Sequence, residues 1–227
     1  MDIIDIKSKL YNFRDEKYAD FSAKLIPGFE KNFFVGVRTP LLKTLAREIL
    51  RTGDYESFIA LLPHESFEEN LLHAFILANE KHSIDIIIKR VESFLPYINN
   101  WAVCDQFSVK LFGQYPNIIY PYLRKWMTSE HLYTRRFGVV NSMRFFLDEK
   151  FEAYMLIDAA SAITNDYYVQ MAVAWYFATA LAKQWVATIP FIEKRRLPDV
   201  VLKMTIRKAL ESYRVSEEQK VYLRSLL

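Results

Sequence analysis

The segment "WAVCDQF" (residues 101–107) places an acid inside an otherwise apolar stretch. Asn99 and Asn100 precede it, and either of them can cap a helix that begins near Trp101. Asp105 lies beyond the first turn of that helix, so capping does not explain it, and Trp101 and Asp105 share one face. A carboxylate in this setting can stabilise a developing positive charge or activate a water molecule. The alternative is a structural ion pair with an arginine of the next helix.

Two later segments carry residue types that can join this chemistry. In "YTRRF", Arg135 and Arg136 lie early in a helix one hairpin later, and in "VAWYF", Trp175 lies one hairpin further on. If the hairpins stack in register, Trp101 and Asp105 line one groove together with Arg136 and Trp175. Indole faces attract cations by about 0.5–2 kcal/mol, depending on desolvation. The other interpretation is that the tryptophans belong to the core and the arginines to the surface.

Proline and turn signals divide the chain into helix-sized pieces. In "VRTPLLKTLAREIL", Thr39 is the predicted N-cap and Pro40 the first helical residue. In "SFEENLLHAF", Ser66 precedes Glu69 by three residues, which is a capping-box pattern. From there onward, helix pairs are predicted near residues 66–93, 101–127, 130–163, 166–190 and 198–226. Their spacing of roughly 30–35 residues is typical of helical-hairpin repeats.

The predicted fold class is therefore all-α, with tandem helical hairpins forming a curved α-α superhelix (a solenoid) in a single domain over residues 1–227. A hairpin cannot bury its apolar face alone, so stacked hairpins share one core. The helix "YVQMAVAWYFATALAK" is apolar around most of its circumference, which predicts a central position. The basic, amphipathic segment from residue 193 onward is expected to close the array.

Composition excludes several classes of function. The 52% of hydrophobic and 25% of charged residues are those of an ordinary globular protein. The five glycines form no phosphate-cradling loop, which argues against nucleotide hydrolysis. The four histidines (His64, His73, His82 and His131) lack ligand spacing, so no metal and no other cofactor is expected. The single cysteine, Cys104, fits a core position and a reducing compartment. No apolar run approaches the roughly 20 residues of a membrane span.

Charge is unevenly placed along the chain. The formal net charge is +3, but residues 1–100 hold 13 basic and 15 acidic residues, whereas residues 101–227 hold 17 basic and 12 acidic ones. The pattern indicates either a solvated basic face or a surface that binds a polyanion. The candidate phosphate contacts are Arg135, Lys183, Lys194, Arg195, Arg196, Lys203, Arg207 and Lys208.

The order and spacing of four segments resemble the AlkD-like DNA alkylation repair glycosylases, a family of tandem HEAT-like helical repeats. The segments are residues 33–49, 101–107, 120–140 and 167–183. The resemblance implies that Asp105 is the catalytic aspartate, that Trp101 and Trp175 are the two tryptophans of the site, and that Arg136 is its arginine. The chain departs from the family at Ala178 and Thr179, where basic or polar residues for DNA contact would be expected.

The resemblance also implies a function. It is that of a DNA glycosylase that excises positively charged N3- or N7-alkylated purines from double-stranded DNA with alkylated or distorted sites. Separately from the resemblance, the protein is expected to be a cytoplasmic monomer, nucleoid-associated when bound to DNA. Loss of a cationic base leaves the base neutral, so the difficult species is the oxocarbenium-like sugar, which a fixed carboxylate stabilises. Two alternatives stay open. One is a non-catalytic HEAT-repeat protein that binds branched or distorted DNA, and the other is a helical-repeat scaffold for proteins.

Overall fold

The computed structural model describes residues 3–227, and every regular element in this part of the chain is a helix. The α-helices are α1 (Ile3–Asn12), α2 (Glu16–Leu25), α3 (Thr39–Thr52), α4 (Glu56–Ala60), α5 (Phe67–Asn79), α6 (Ile84–Phe94), α7 (Trp101–Gln106), α8 (Pro116–Met127), α9 (Leu132–Phe146), α10 (Tyr154–Ser161), α11 (Tyr167–Lys183), α12 (Trp185–Glu193), α13 (Asp199–Glu211) and α14 (Glu217–Ser225). Short 3-10 turns lie at Lys31–Phe33, Leu95–Tyr97 and Lys110–Gln114. The all-α fold class and the positions of the five predicted helix pairs are confirmed.

Two compact units make up the chain, Met1–Leu111 and Phe112–Leu227. The single domain over residues 1–227 stays a prediction. In the second unit, α9, α11 and α13 pack side by side in chain order, while α10 and α12 pack against α11 and α8 packs against α9 and α10. This alternation is the arrangement of stacked helical hairpins. The central position predicted for α11 is therefore confirmed within its unit.

In the first unit, α5 has the most extensively buried surface. It packs against α3, α6 and α7, and its residues 67–77 are all buried. Ser66 and Glu69 form the predicted capping box, in which each side chain accepts a backbone N–H of the other residue. The N-cap prediction for α3 was wrong by one position, because Arg38 is the N-cap and Thr39 the first helical residue. Pro40 then lies in the first turn, where its missing N–H breaks no helical hydrogen bond.

A buried carboxylate ties the segment before α3 to this core. Glu68 of α5 is 0% exposed and accepts the backbone N–H groups of Val35 (2.9 Å), Gly36 (2.8 Å) and Val37 (3.2 Å). Burial raises the pKa of Glu68, and the three N–H donors oppose that shift. Gly36 has φ +91°, and a Cβ there would lie 2.0 Å from the carbonyl oxygen of Asp15. Only glycine therefore permits this close approach.

Two histidines lie in the interior of the same unit. A ring nitrogen of His64 lies 2.8 Å from one of His73, and the His73 ring stacks on Phe94 with centroids 3.9 Å apart. Burial lowers the pKa of His64 to about 4 and lowers that of His73 well below its ordinary value. Both rings are consequently neutral at pH 7, and they pack as aromatic core residues.

None of the helices within residues 3–227 is long and apolar enough to cross a lipid bilayer.

The free energy of unfolding is expected to fall as the pH decreases from about 6.5 towards 4. Histidines of the unfolded chain bind protons in this range, while the folded-state pKa of His64, about 4, keeps its ring neutral. The free energy of unfolding therefore has its full value above the pKa of histidine in the unfolded chain. It decreases as the pH falls towards the folded-state pKa, by up to about 1.4 kcal/mol per pH unit for each histidine.

Urea unfolding of the wild type and of His64→Gln at pH 7, 6 and 5 measures this difference. The glutamine retains a hydrogen-bonding group towards His73 but cannot titrate, so the variant is expected to show the shallower pH dependence. His82→Gln is the control, since its imidazole is 33% exposed. Equal slopes in the wild type and His64→Gln would contradict the interpretation.

Candidate functional site

The short helix α7 presents Trp101 and Asp105 from a fixed base. Asn100 is its N-cap, and the Asn100 side chain accepts the N–H of Val103 at 2.9 Å, as one of the two predicted capping choices. Residues 102–104 face the core and are buried, whereas Trp101 and Asp105 are both half-buried. The two side chains therefore share the face that the core does not cover, one helical turn apart.

Both ends of α7 are anchored in the interior. Phe107, the residue that ends the helix, is fully buried and packs its ring edge-to-face against Phe94 with centroids 5.7 Å apart. Cys104 is fully buried, in agreement with its predicted place in the core. The cap at Asn100 and the anchor at Phe107 thus fix the helix backbone that carries Asp105.

Arg136 lies in the first turns of α9, in the second unit. It is only 5% exposed, and its Nη1 donates to the backbone carbonyl of Tyr168, near the start of α11, at 2.5 Å. The helix that carries it is capped by His131, whose Nδ1 accepts the N–H of Thr134 at 3.2 Å. Burial lowers the pKa of His131, which favours the neutral ring that an acceptor at this position needs.

The neighbouring Arg135 is engaged by backbone carbonyls. Its Nε donates to Ser129 (2.7 Å) and its Nη2 to Thr128 (3.3 Å), just after α8 ends, and its Nη1 donates to Ala162 (3.3 Å), the C-cap of α10. Helix C-termini leave carbonyls unpaired and carry a partial negative charge, so a guanidinium there is favourable. Arg135 therefore links the C-terminal end of α8 to the C-terminal end of α10.

Trp175 lines a pocket of about 400 Å³ within the second unit. On α11 the lining residues are Trp175, Ala178, Thr179 and Ala182, which recur at the spacing of one helical face. The opposite wall comes from α13 and the turn after it, with Lys208, Glu211, Ser212, Tyr213 and Arg214. The small side chains at Ala178 and Ala182 leave the space that the pocket occupies.

The pocket gives a structural reason for the small side chains of Ala178 and Thr179. The sequence placed them where cationic or polar contacts were expected, whereas in the structure they form the floor of the pocket. Thr179 turns its hydroxyl inward, donating to the carbonyl of Trp175 at 2.9 Å. The positive charge is supplied from across the pocket by Lys208, a predicted phosphate contact, and by Arg214, which sequence reasoning missed.

Tyr213 is a second pocket residue that the sequence pattern did not indicate. It lies with Arg214 in the turn between α13 and α14, and its side chain is fully exposed, at 103%. The available signal was an aromatic residue followed directly by a cation within the predicted helix pair 198–226.

The remaining predicted phosphate contacts fall into two groups. Three already have a partner: Lys183 pairs with Asp148 (2.6 Å), Arg195 pairs with Asp199 (3.3 Å), and Arg196 lies over the Phe191 ring (5.3 Å). The others form no ion pair within residues 3–227, and they are Lys194, Lys203, Arg207 and Lys208. The charge of this second group is available to a ligand, as is that of Arg196, because a phenylalanine ring does not neutralise a guanidinium.

A family model described as DNA alkylation repair enzyme matches residues 6–212 of the 227-residue chain. The chain belongs to the DNA alkylation repair enzyme family. The match spans α7, α9, α11 and α13, so it includes every residue that the sequence proposed for the site. No curated protein was found to match the chain significantly.

Membership of this family points to DNA as the partner. The roles of Asp105, Trp101, Arg136 and Trp175 stay predictions. In residues 3–227 no three or more His, Cys, Asp and Glu side chains are grouped so as to hold a metal ion.

Replacing Arg135 is expected to destabilise this DNA alkylation repair enzyme. Arg135→Ala removes hydrogen bonds from a charged donor to three carbonyls, so the free energy of unfolding should fall by about 2 kcal/mol. Arg135→Lys retains the charge but lacks the several N–H donors of the planar guanidinium, so the free energy of unfolding should fall by about 1 kcal/mol. Urea unfolding measures both. Arg207→Ala, an exposed cation of the same unit, should stay within about 0.5 kcal/mol of the wild type. Unchanged stability with weakened DNA binding would assign Arg135 to the DNA surface instead.

Proposed function

We propose that this DNA alkylation repair enzyme is a DNA glycosylase that excises positively charged N3- or N7-alkylated purines. The observation that carries the proposal is the placement of Asp105. Its carboxylate is half-buried on the uncovered face of a helix that is capped by Asn100 and anchored at Phe107, one turn from the half-buried indole of Trp101. Family membership supports DNA alkylation damage as the substrate.

The proposed reaction breaks the bond between C1′ of the deoxyribose and the purine nitrogen. The bonding electron pair leaves with the base and neutralises its positive charge, so the leaving group needs no proton. The sugar becomes oxocarbenium-like, and the Asp105 carboxylate stabilises that charge. A water molecule then attacks C1′, and its proton passes to Asp105 or to solvent. The products are the free alkylpurine and an abasic site.

The two indoles supply the preference for a cationic nucleotide. An electron-rich ring face attracts a cation by about 0.5–2 kcal/mol, whereas an undamaged neutral base gains little from it. Trp101 is half-buried on the same helix face as Asp105, and Trp175 is half-buried at the rim of the 400 Å³ pocket. Both rings retain exposed area with which to contact DNA.

The burial of Arg136 favours a positioning role over a direct phosphate contact. Its side chain is 5% exposed and donates to the Tyr168 carbonyl. We assign phosphate binding instead to the unpaired cations Lys194, Lys203, Arg207 and Lys208, of which Lys194, Lys203 and Arg207 are exposed. Such contacts are independent of base sequence, and they suit an enzyme that must find rare lesions anywhere in a genome.

Asp105→Asn is expected to reduce release of alkylated purines by about a hundredfold or more, because the amide cannot stabilise the cationic sugar. The assay incubates purified protein with methylated DNA and measures free 3-methyladenine and 7-methylguanine together with abasic sites. DNA binding, followed by fluorescence anisotropy, should change little.

Asp85→Asn, an exposed acid on α6 of the same unit, is the matched control and should retain wild-type release. If the wild-type protein binds DNA but releases no base, the glycosylase proposal fails. A preference for branched or distorted duplexes under those conditions would support the alternative of a non-catalytic DNA-binding protein.

Affinity for an unmodified duplex is expected to fall steeply with salt, and two exposed cations should account for part of the slope. The Lys203→Ala/Arg207→Ala double variant should flatten the plot of log K against log[salt] by about 1.8, or roughly 0.9 for each phosphate that the variant no longer neutralises. Lys183→Ala is the comparison, since that ammonium is already paired with Asp148. Identical slopes for the double variant and the wild type would remove both residues from the DNA surface.

A further inference from the structure

The turn between α13 and α14 holds the most exposed large hydrophobic side chain in residues 3–227. Tyr213 has 103% relative exposure, and the next most exposed in this part of the chain are Val186 at 85% and Ile4 at 77%. A tyrosine gains stability when its ring is buried and gains none in this position. The exposure leaves the whole ring available for a contact outside the chain.

The turn that carries Tyr213 is held at both ends. The N–H of Ser212 donates to the carbonyl of Ala209 (3.1 Å), and the N–H of Arg214 donates to the Ser212 hydroxyl (3.2 Å). Val215 is buried at 3% exposure, and Ser216 then begins α14 with a capping box. Tyr213 is thus presented on a short, anchored turn, so little conformational entropy is lost when it makes a contact.

The surroundings of the ring are positively charged and partly aromatic. Lys208, Arg214 and one acid, Glu211, line the pocket beside Tyr213, and Trp175 lines its other wall. Within residues 3–227 none of these three charged side chains forms an ion pair, so the cations are not neutralised by the chain. The volume of about 400 Å³ is within the range of ligand pockets, roughly 300–1,000 Å³.

We propose that the 212–214 turn contacts DNA directly: Tyr213 stacks on an unpaired or extruded base, and Lys208 and Arg214 bind the phosphates that flank it. An aromatic face beside cations matches a nucleotide, because every base has a π face and every phosphate a negative charge. The ring needs an uncovered base face, so the turn selects DNA with an unstacked base over a fully paired duplex. The inference rests on the proposed function only for DNA as the ligand.

Duplexes that carry 2-aminopurine, either bulged or fully paired, test the contact. Stacking of Tyr213 should quench the fluorescence of the bulged 2-aminopurine, and the wild type should bind the bulged duplex about tenfold more tightly than the paired one. Tyr213→Ala should lose both the quenching and the preference. Tyr213→Phe retains the ring and should retain both, and Tyr154→Ala, an exposed tyrosine of the same unit, is the control.

The salt dependence of DNA binding tests the part proposed for Lys208 and Arg214. Lys208→Ala and Arg214→Ala should each flatten the salt dependence of binding to the bulged duplex by about 0.9 in slope, the value for one phosphate. Glu211→Gln removes the acid from the pocket and should strengthen binding. Thermal unfolding of each variant verifies the fold, which substitution of the exposed Glu211, Tyr213 or Arg214 should leave intact, and for the half-buried Lys208 it separates lost stability from lost binding.

Two results would overturn the proposal. One is quenching and preference in Tyr213→Ala equal to those of the wild type, and the other is loss of both in Tyr213→Phe, which would point to the hydroxyl instead of the ring. The DNA in this experiment is not alkylated and contains nothing to excise. A protein that stacks on the bulge but releases no alkylpurine therefore refutes the glycosylase alone, and one that releases alkylpurines without stacking refutes the turn contact alone.

Discussion

The packing of α11 is the constraint on which the second unit depends. This helix contacts α9, α10, α12 and α13, so nearly its whole circumference must be apolar. Packing leaves one narrow stripe, and that stripe carries Trp175 and Thr179 at the pocket. The buried residues on either side of this stripe belong to a close-packed core, which fixes the backbone of α11. The core therefore fixes the position on the helix from which the half-buried indole projects into the pocket.

Several charged residues serve the same architecture. Arg135 and Arg136 are adjacent on α9, yet the first donates to carbonyls at the ends of α8 and α10 and the second to a carbonyl of α11. One turn of α9 thus satisfies backbone groups of three neighbouring helices. In the first unit, Glu68 likewise satisfies backbone groups, because its carboxylate accepts three backbone N–H groups of the segment before α3. Unpaired buried polar groups are costly, so charges of this kind specify how helices meet.

Local signals were readable from the sequence, and contacts between distant residues were not. The Ser66 capping box and the Asn100 cap depend on residues within one turn, so the helix starts could be predicted from them. The pocket brings Tyr213 to the same cavity as Trp175, 38 positions earlier in the chain, through the packing of α13 on α11, which no local pattern encodes. The ion pair between Lys183 and Asp148 likewise joins residues 35 positions apart, and the sequence pattern does not indicate it.

The acids of the protein also bear on the kind of reaction proposed. Burial raises the pKa of the Glu68 and Glu80 carboxyl groups. Both are committed to structure, since Glu68 binds backbone N–H groups and Glu80 pairs with Arg90 at 2.5 Å. A raised pKa is what a general acid needs in order to protonate a leaving group at neutral pH. Under the proposed function, the leaving base is already cationic and needs no such acid, so the part proposed for Asp105 is confined to the sugar. Selectivity would then follow from the charge of the lesion, because a neutral base would lack both the weakened bond and the attraction to the indoles.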